Sequence, residues 1–161
     1  NIIISGNNYN VIHDITISPA TYGYKGEVEI QRAEEFDYTE QLIIGLVNKE
    51  VDSLTIDKPN DQYVSLITHN KQAVEGGYLG LGLLLEQENF IASGTAPVSS
   101  EKDKGIVDTY YAIMDLSDPT LSYYMYAGWE KSDEKFAREE QFVEYVRNQA
   151  KKFTTPVKVV Q

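Results

Sequence analysis

The segment 121–146, LSYYMYAGWEKSDEKFAREEQFVEYV, constrains the fold more than any other part of the chain. It joins an aromatic-loaded strand to an amphipathic helix through a short polar turn. Successive strand side chains point to opposite faces, so Leu121, Tyr123, Met125, Ala127 and Trp129 share one face. Ser122, Tyr124, Tyr126 and Glu130 share the other. A strand with aromatics on both faces packs a core on one side and offers a stacking surface on the other. Downstream, Ser132 stands as a helix cap, Asp133 and Glu134 fall in the first turn, and Lys151 and Lys152 in the last, as the helix dipole favours. Phe142, Val146, Ala150 and Phe153 recur at helical spacing and form an apolar stripe suited to lie on a sheet.

Strand signals dominate the rest. Residues 2–5, 9–17, 26–32, 40–47, 51–56, 62–68, 78–86, 106–116 and 120–129 are rich in β-branched and aromatic residues. Clusters of Gly, Pro, Asn, Asp and Ser separate them. Many strands at short, even spacing predict a mainly β, antiparallel β-sandwich (supersandwich-like) with one C-terminal α-helix packed on a sheet. Residues 1–161 read as a single domain, and 157–160 as a final edge strand. The Ser117-Asp118-Pro119 turn reads as a hairpin tip that brings Tyr110, Tyr111, Tyr123 and Tyr124 together. Residues 94–105 read as a polar loop.

Composition excludes several classes of function. A net charge of −11 over 161 residues argues against nucleic acid and against an anionic membrane surface. The absence of cysteine removes disulfides, thiolate nucleophiles and Cys-based metal sites. The longest apolar run, 78–85, is too short to cross a bilayer, so no membrane insertion is expected. The two histidines and scattered carboxylates have no metal-ligand spacing, and no Gly-rich loop leads from a strand into a helix. No metal or other cofactor is expected. The chain starts without an initiator Met or a signal-peptide pattern, and its first residues already read as a strand. The expectation is a C-terminal portion of a longer protein, with the N-terminal part of that protein as a possible partner.

Few residues are placed for chemistry. His13 lies on an apolar strand face with Tyr9, Val11, Ile15 and Ile17 and reads as a hydrogen-bonded core or edge histidine. His69 ends a strand and opens the polar segment Asn70-Lys71-Gln72, where it could serve as a general acid or base or stand solvated in a loop. In residues 78–86, Leu79, Leu81, Leu83 and Leu85 line one face, while Tyr78, Gly80, Gly82, Leu84 and Glu86 line the other. The glycines leave a trough, filled either by a large neighbouring aromatic or by a ligand. Glu86 and Glu130 are candidate carboxylates, and Trp129 sits at a strand end where the indole packs in the core or edges a cleft.

The runs Asp108-Thr109-Tyr110-Tyr111 and Ser122-Tyr123-Tyr124-Met125-Tyr126-Ala127-Gly128-Trp129-Glu130, then Phe142, Tyr145 and Pro156, resemble the C-terminal part of the bacterial domain-of-unknown-function family DUF4861. Leu66-Ile67-Thr68-His69 and Gly77-Tyr78-Leu79-Gly80-Leu81-Gly82 are similar to it as well. The resemblance implies a secreted or periplasmic protein associated with polysaccharide degradation and a sandwich like that of galactose-mutarotase domains, whose concave face binds sugars. It carries over no catalytic residue. The expected function is therefore a carbohydrate-active or carbohydrate-binding β-sandwich acting on oligosaccharides of acidic polysaccharides, with a lyase or hydrolase as its enzymatic form. In an enzyme, His69 or Tyr78 would be acid/base, Glu86 or Glu130 a partner, Tyr124, Tyr126 and Trp129 would contact the sugar, and Lys71 would neutralise a carboxylate. The alternative is a non-catalytic sugar-binding or structural module that completes a larger sandwich. An adaptor that binds protein is a third.

Overall fold

A computed structural model describes residues 2–4, 7–32, 41–73, 76–99 and 105–155. Among the described residues, ten strands form two antiparallel sheets. They are β1 (Ile2–Ile4), β2 (Asn7–Ile17), β3 (Gly23–Arg32), β4 (Gln41–Val47), β5 (Thr55–Asn60), β6 (Tyr63–Asn70), β7 (Leu79–Glu86), β8 (Phe90–Thr95), β9 (Thr109–Asp115) and β10 (Thr120–Trp129). The large sheet runs β1-β2-β3-β10-β7-β6-β5 and the small one β4-β9-β8. A 3-10 turn, Glu134–Ala137, leads into the helix α1, Glu139–Thr154. The mainly β sandwich with one C-terminal helix is therefore observed.

Two cores flank the large sheet, as the two-sided patterning of β7 and β10 requires. Between the sheets, Val64, Leu66, Leu83, Leu85, Leu121 and Tyr123 meet Leu46, Ala112, Met114 and Leu116. On the opposite face, Ile67, Leu84 and Tyr126 meet Phe136, Phe142, Val143, Val146 and Ala150. β6 and β7, central and covered on both sides, are buried along almost their whole length, which is why they lack the polar alternation of a half-exposed strand.

The helix is fixed by shape. Gly80 and Gly128 are register partners on β7 and β10, and a β-carbon on Gly80 would overlap the Phe142 ring. One on Gly128 would come within 2.6 Å of Phe142 and 2.9 Å of Phe136, and one on Gly82 within 2.9 Å of Val146. The trough read from the sequence is thus filled by a neighbouring aromatic, Phe142, and is not open to a ligand. Polar ties hold the flanks of the helix. The guanidinium of Arg147 donates to both carboxylate oxygens of Asp57 on β5 at 2.8 and 2.9 Å. The backbone N–H of Tyr22 donates to the Tyr145 hydroxyl at 2.8 Å.

Several expectations are corrected. Ser117-Asp118-Pro119 does not close a hairpin: β9 and β10 belong to different sheets, so the connection crosses the sandwich. Tyr110 and Tyr111 stay with the small sheet, while Tyr123 is buried between the sheets and Tyr124 faces the helix. β8 is a strand that the sequence reading does not contain, and only its last two residues, Gly94 and Thr95, fall in the loop read at 94–105; its Ala, Ser and Gly give little strand signal. The strand read at 51–56 lies instead at Thr55–Asn60 and runs through Pro59, which an edge strand tolerates. Asp133, not Ser132, caps the first turn, its side chain accepting from the Lys135 N–H. The edge strand read at 157–160 and residues 100–104 of the polar loop lie outside the described residues.

Gly80→Ala should destabilise the fold by about 1–3 kcal/mol through overpacking against Phe142, read by denaturant unfolding. In a Phe142→Leu background the same substitution should cost less, and the double-mutant cycle should show that coupling.

Candidate functional site

The residues singled out from the sequence fall into three places. The first is a corner at the ends of β6, β7 and β10, which gathers His69, Lys71, Tyr78, Trp129 and Glu130. His69 pairs with Gly80 across the β6–β7 ladder. The imidazole stacks on Tyr78 with centroids 5.3 Å apart and planes 12° from parallel. Lys71 Nζ lies 5.3 Å from the centroid of the Tyr78 ring. The Glu130 N–H donates to the Tyr78 carbonyl at 3.1 Å, and Lys131 Nζ sits 5.5 Å from the Trp129 ring centroid. The Trp129 indole N–H is buried without a hydrogen-bond partner.

His69 Nε2 lies 2.8 Å from the carbonyl oxygen of Phe136. A carbonyl only accepts, so Nε2 carries the proton and donates it. That nitrogen is committed to holding the 3-10 turn on the sheet, and only Nδ1 retains a lone pair. Glu86 does not join this corner. It pairs with Tyr63 at the far end of β7, six residues from Gly80, which at strand rise is about 20 Å. His69 and Glu86 therefore cannot serve one reacting atom together.

The second place holds Glu86, in a cavity of about 290 Å³ lined by Asp61, Gln62, Tyr63 and Glu88 as well. Burial, then the neighbouring Glu88, raise the Glu86 carboxyl above its ordinary 4.5. Among the described residues no cluster of carboxylates and histidines is arranged to hold a metal ion.

The third place is a groove between the C-terminal half of α1 and the β2–β3–β10 side of the large sheet. Its cavity of about 320 Å³ is lined by Tyr124, Tyr126, Tyr24, Gly23 and Phe153, with Thr16, Ser18, Thr21, Lys25, Gln149 and Lys152 around them. The ladder explains the grouping, because Tyr124 pairs with Lys25 and Tyr126 with Gly23 across β10 and β3. Gly23 is required, since a β-carbon there would meet the Tyr126 ring and the Met125 carbonyl. Phe153, from the last turn of α1, stacks on Tyr124 at 4.2 Å and 20° while remaining 43% exposed. One ring face of Phe153 is thus packed and its body stays open to solvent.

Charge in the groove is set by its rim. Burial raises the Tyr124 and Tyr126 hydroxyls above their ordinary range, and burial first, then Tyr124 and Glu86, pushes adjacent Tyr63 up to about 12. The phenols stay neutral and act as hydrogen-bonding groups. Lys25 and Lys152 supply positive charge. Lys25 pairs with Glu27 at 2.8 Å in a partly exposed position, and Lys152 donates to Gln149 Oε1 at 3.3 Å. Of the sugar-contacting residues read from the sequence, Tyr124 and Tyr126 line this groove, whereas Trp129 and Lys71 stand at the opposite corner. Phe153, Lys25, Lys152 and Gln149 were not singled out as ligand contacts. Phe153 had been placed in the buried helix stripe, and nothing in the order of residues signals that its ring overhangs β10.

Over residues 1–159 the sequence matches the family described as a domain of unknown function, DUF4861. The chain belongs to this family. No curated protein and no solved structure matches this DUF4861 chain. No helix among the described residues is long and apolar enough to cross a membrane.

For Glu86, a raised folded pKa means that the folded state holds the proton more tightly than the unfolded chain does. The stabilisation is present below 4.5 and is lost as pH rises through the folded value. Glu86→Gln should therefore raise the denaturant midpoint at neutral pH and give no gain in acid. Unfolding of both proteins across that pH range checks the sign.

Proposed function

We propose that this DUF4861 chain binds a short stretch of acidic oligosaccharide, without transforming it, in the groove between α1 and β3–β10. The observation that carries the reading is the pairing of an aromatic floor with a hydroxyl, amide and ammonium rim in one cavity. Sugar rings present C–H faces that pack on aromatic rings, and Phe153 and the tyrosines match those faces. Sugar hydroxyls find partners in Thr16, Ser18, Thr21 and Gln149. Lys25 and Lys152 fit a uronate carboxylate or a sulfate, and diverting Lys25 from a partly exposed ion pair costs little. At about 320 Å³ the cavity is at the small end of the range for ligand sites, which suits one or two sugar units of a longer chain. The location that goes with this reading is the periplasm or the cell exterior, where polysaccharides are met.

A catalytic reading has one observation in its favour, the convergence of His69, Lys71, Tyr78, Trp129 and Glu130 at the opposite corner. In that reading Tyr78, or His69 through Nδ1, is the acid/base of a lyase or hydrolase, and Lys71 neutralises the uronate. The commitment of His69 Nε2 to a backbone carbonyl weighs against it.

Calorimetric titration with an oligogalacturonate, and with the same oligosaccharide after its carboxyls are reduced to alcohols, tests the proposal. Binding should be stronger for the acid and weaken with salt. Phe153→Ala and Lys25→Ala should each weaken it about tenfold, corresponding to the 1–2 kcal/mol of one stacking or charged contact. No binding of either sugar would overturn the proposal. Formation of an unsaturated product, abolished by His69→Ala in a folded protein, would replace it with the catalytic reading.

A further inference from the structure

A second cavity, of about 760 Å³, lies beside the tyrosine groove on the same flank of α1. Tyr22, Tyr145, Lys135, Glu144 and Asn148 line it, and Gln149 and Lys152 line both cavities. On the sheet side the chain divides the two: Thr21 and Gly23 line the groove, while Ala20 and Tyr22 line the second cavity. On the helix side they form one track, because Gln141, Tyr145, Asn148 and Lys152 recur at helical spacing. From Gln141 to Lys152 that track runs about 16 Å along α1.

Gln149 stands at the junction of the two cavities and is only 5% exposed. Its Oε1 accepts from Lys152 Nζ at 3.3 Å, which fixes the orientation of the carboxamide. Its Nε2 donates to no group among the described residues. A donor on so buried a side chain is costly to leave unmet, and an acceptor entering the cavities meets it. The Tyr145 hydroxyl accepts from the Tyr22 N–H at 2.8 Å and keeps its own proton to donate. Charge in the second cavity is offset. Lys135 Nζ lies 2.6 Å from the Asp133 carboxylate and 5.5, 4.8 and 5.8 Å from the ring centroids of Tyr22, Phe136 and Tyr145. Glu144 opposes Lys152 on the same cavity wall.

We propose that the second cavity is a further subsite for the same oligosaccharide, which crosses Gln149 and lays its next sugar units beside Tyr22 and Tyr145. This inference rests on the sugar-binding reading of the groove and adds to it the length of the ligand. At the junction, Gln149 Nε2 donates to a sugar oxygen. Beyond it, the Tyr145 hydroxyl and the Asn148 carboxamide bind sugar hydroxyls. The groove reads charge through Lys25 and Lys152, so that part of the affinity weakens with salt. The second cavity has its charges offset and reads sugar units by neutral hydrogen bonds, which salt does not screen.

Calorimetric titration with digalacturonate and with tetragalacturonate, at low and at high salt, tests it. The longer sugar should bind about tenfold more tightly, the worth of one or two hydrogen bonds. Salt should weaken both sugars without diminishing that gain. Asn148→Ala and Tyr145→Phe, at residues that line the second cavity and not the groove, should remove most of the gain and leave digalacturonate binding unchanged. Circular dichroism confirms that each variant is folded, and Asn148, an exposed residue, keeps the test decisive should Tyr145→Phe disturb the anchoring of Tyr22. If digalacturonate binds and the longer sugar binds no tighter, the second subsite is overturned and the groove reading stands. A gain that survives both substitutions, or one that vanishes in salt, overturns it as well. If neither sugar binds, the groove reading fails and this inference fails with it.

Discussion

The seating of Phe142 among Gly80, Gly82 and Gly128 is the contact on which the rest of the structure depends. The glycines remove side chains from adjacent positions on two central strands, and the resulting hollow accepts a ring that nothing larger than hydrogen would admit. With Phe142 seated, α1 lies close to the sheet and the second core closes around Phe136, Val146 and Ala150. The 3-10 turn before the helix is then held by the His69 donor to Phe136. At the other end of α1, Phe153 reaches Tyr124 and the groove acquires its outer wall. A helix seated farther from the sheet would leave Tyr124 and Tyr126 on an open face with no cavity.

This arrangement divides labour along one sheet face. The centre is dry and shape-matched. One end, at Tyr63 and Glu86, is acidic and lifts its titrating groups through burial. The groove beside β3 instead meets solvent with two lysines, in a chain whose carboxylates greatly outnumber its cations. One of the two, Lys25, is already paired with Glu27 at 2.8 Å, so an anion entering the groove competes with that carboxylate for it.

Much of the fold was legible in the residues because burial enforces period. The strands of the large sheet other than β5, the helix with its stripe of Phe142, Val146 and Ala150, and the two-sided character of β7 and β10 all follow from apolar spacing. What period cannot convey is which sheet a strand joins. β9 and β10 are separated by a short turn of hairpin type, yet the connection crosses the sandwich, because each strand has an apolar face that must meet the other across the core instead of beside it. β8 escaped notice for a simpler reason: a short strand of small residues has too little apolar signal to stand out.

For the candidate sites the division is similar. The sequence by itself determined that aromatics would occupy both faces of β10, that glycines would hollow the face of β7, and that His69 would stand at a strand end beside Lys71. Those are consequences of alternation and of local chain order. Only the tertiary structure decided that Phe142 fills the hollow, that His69 stacks on Tyr78 and donates a hydrogen bond from Nε2 to a backbone carbonyl, that Glu86 stands at the far end of its strand from His69, and that Phe153 turns from core stripe to groove wall. Each of these depends on the distance between segments far apart in the chain, and residue order along a strand or helix does not encode that distance.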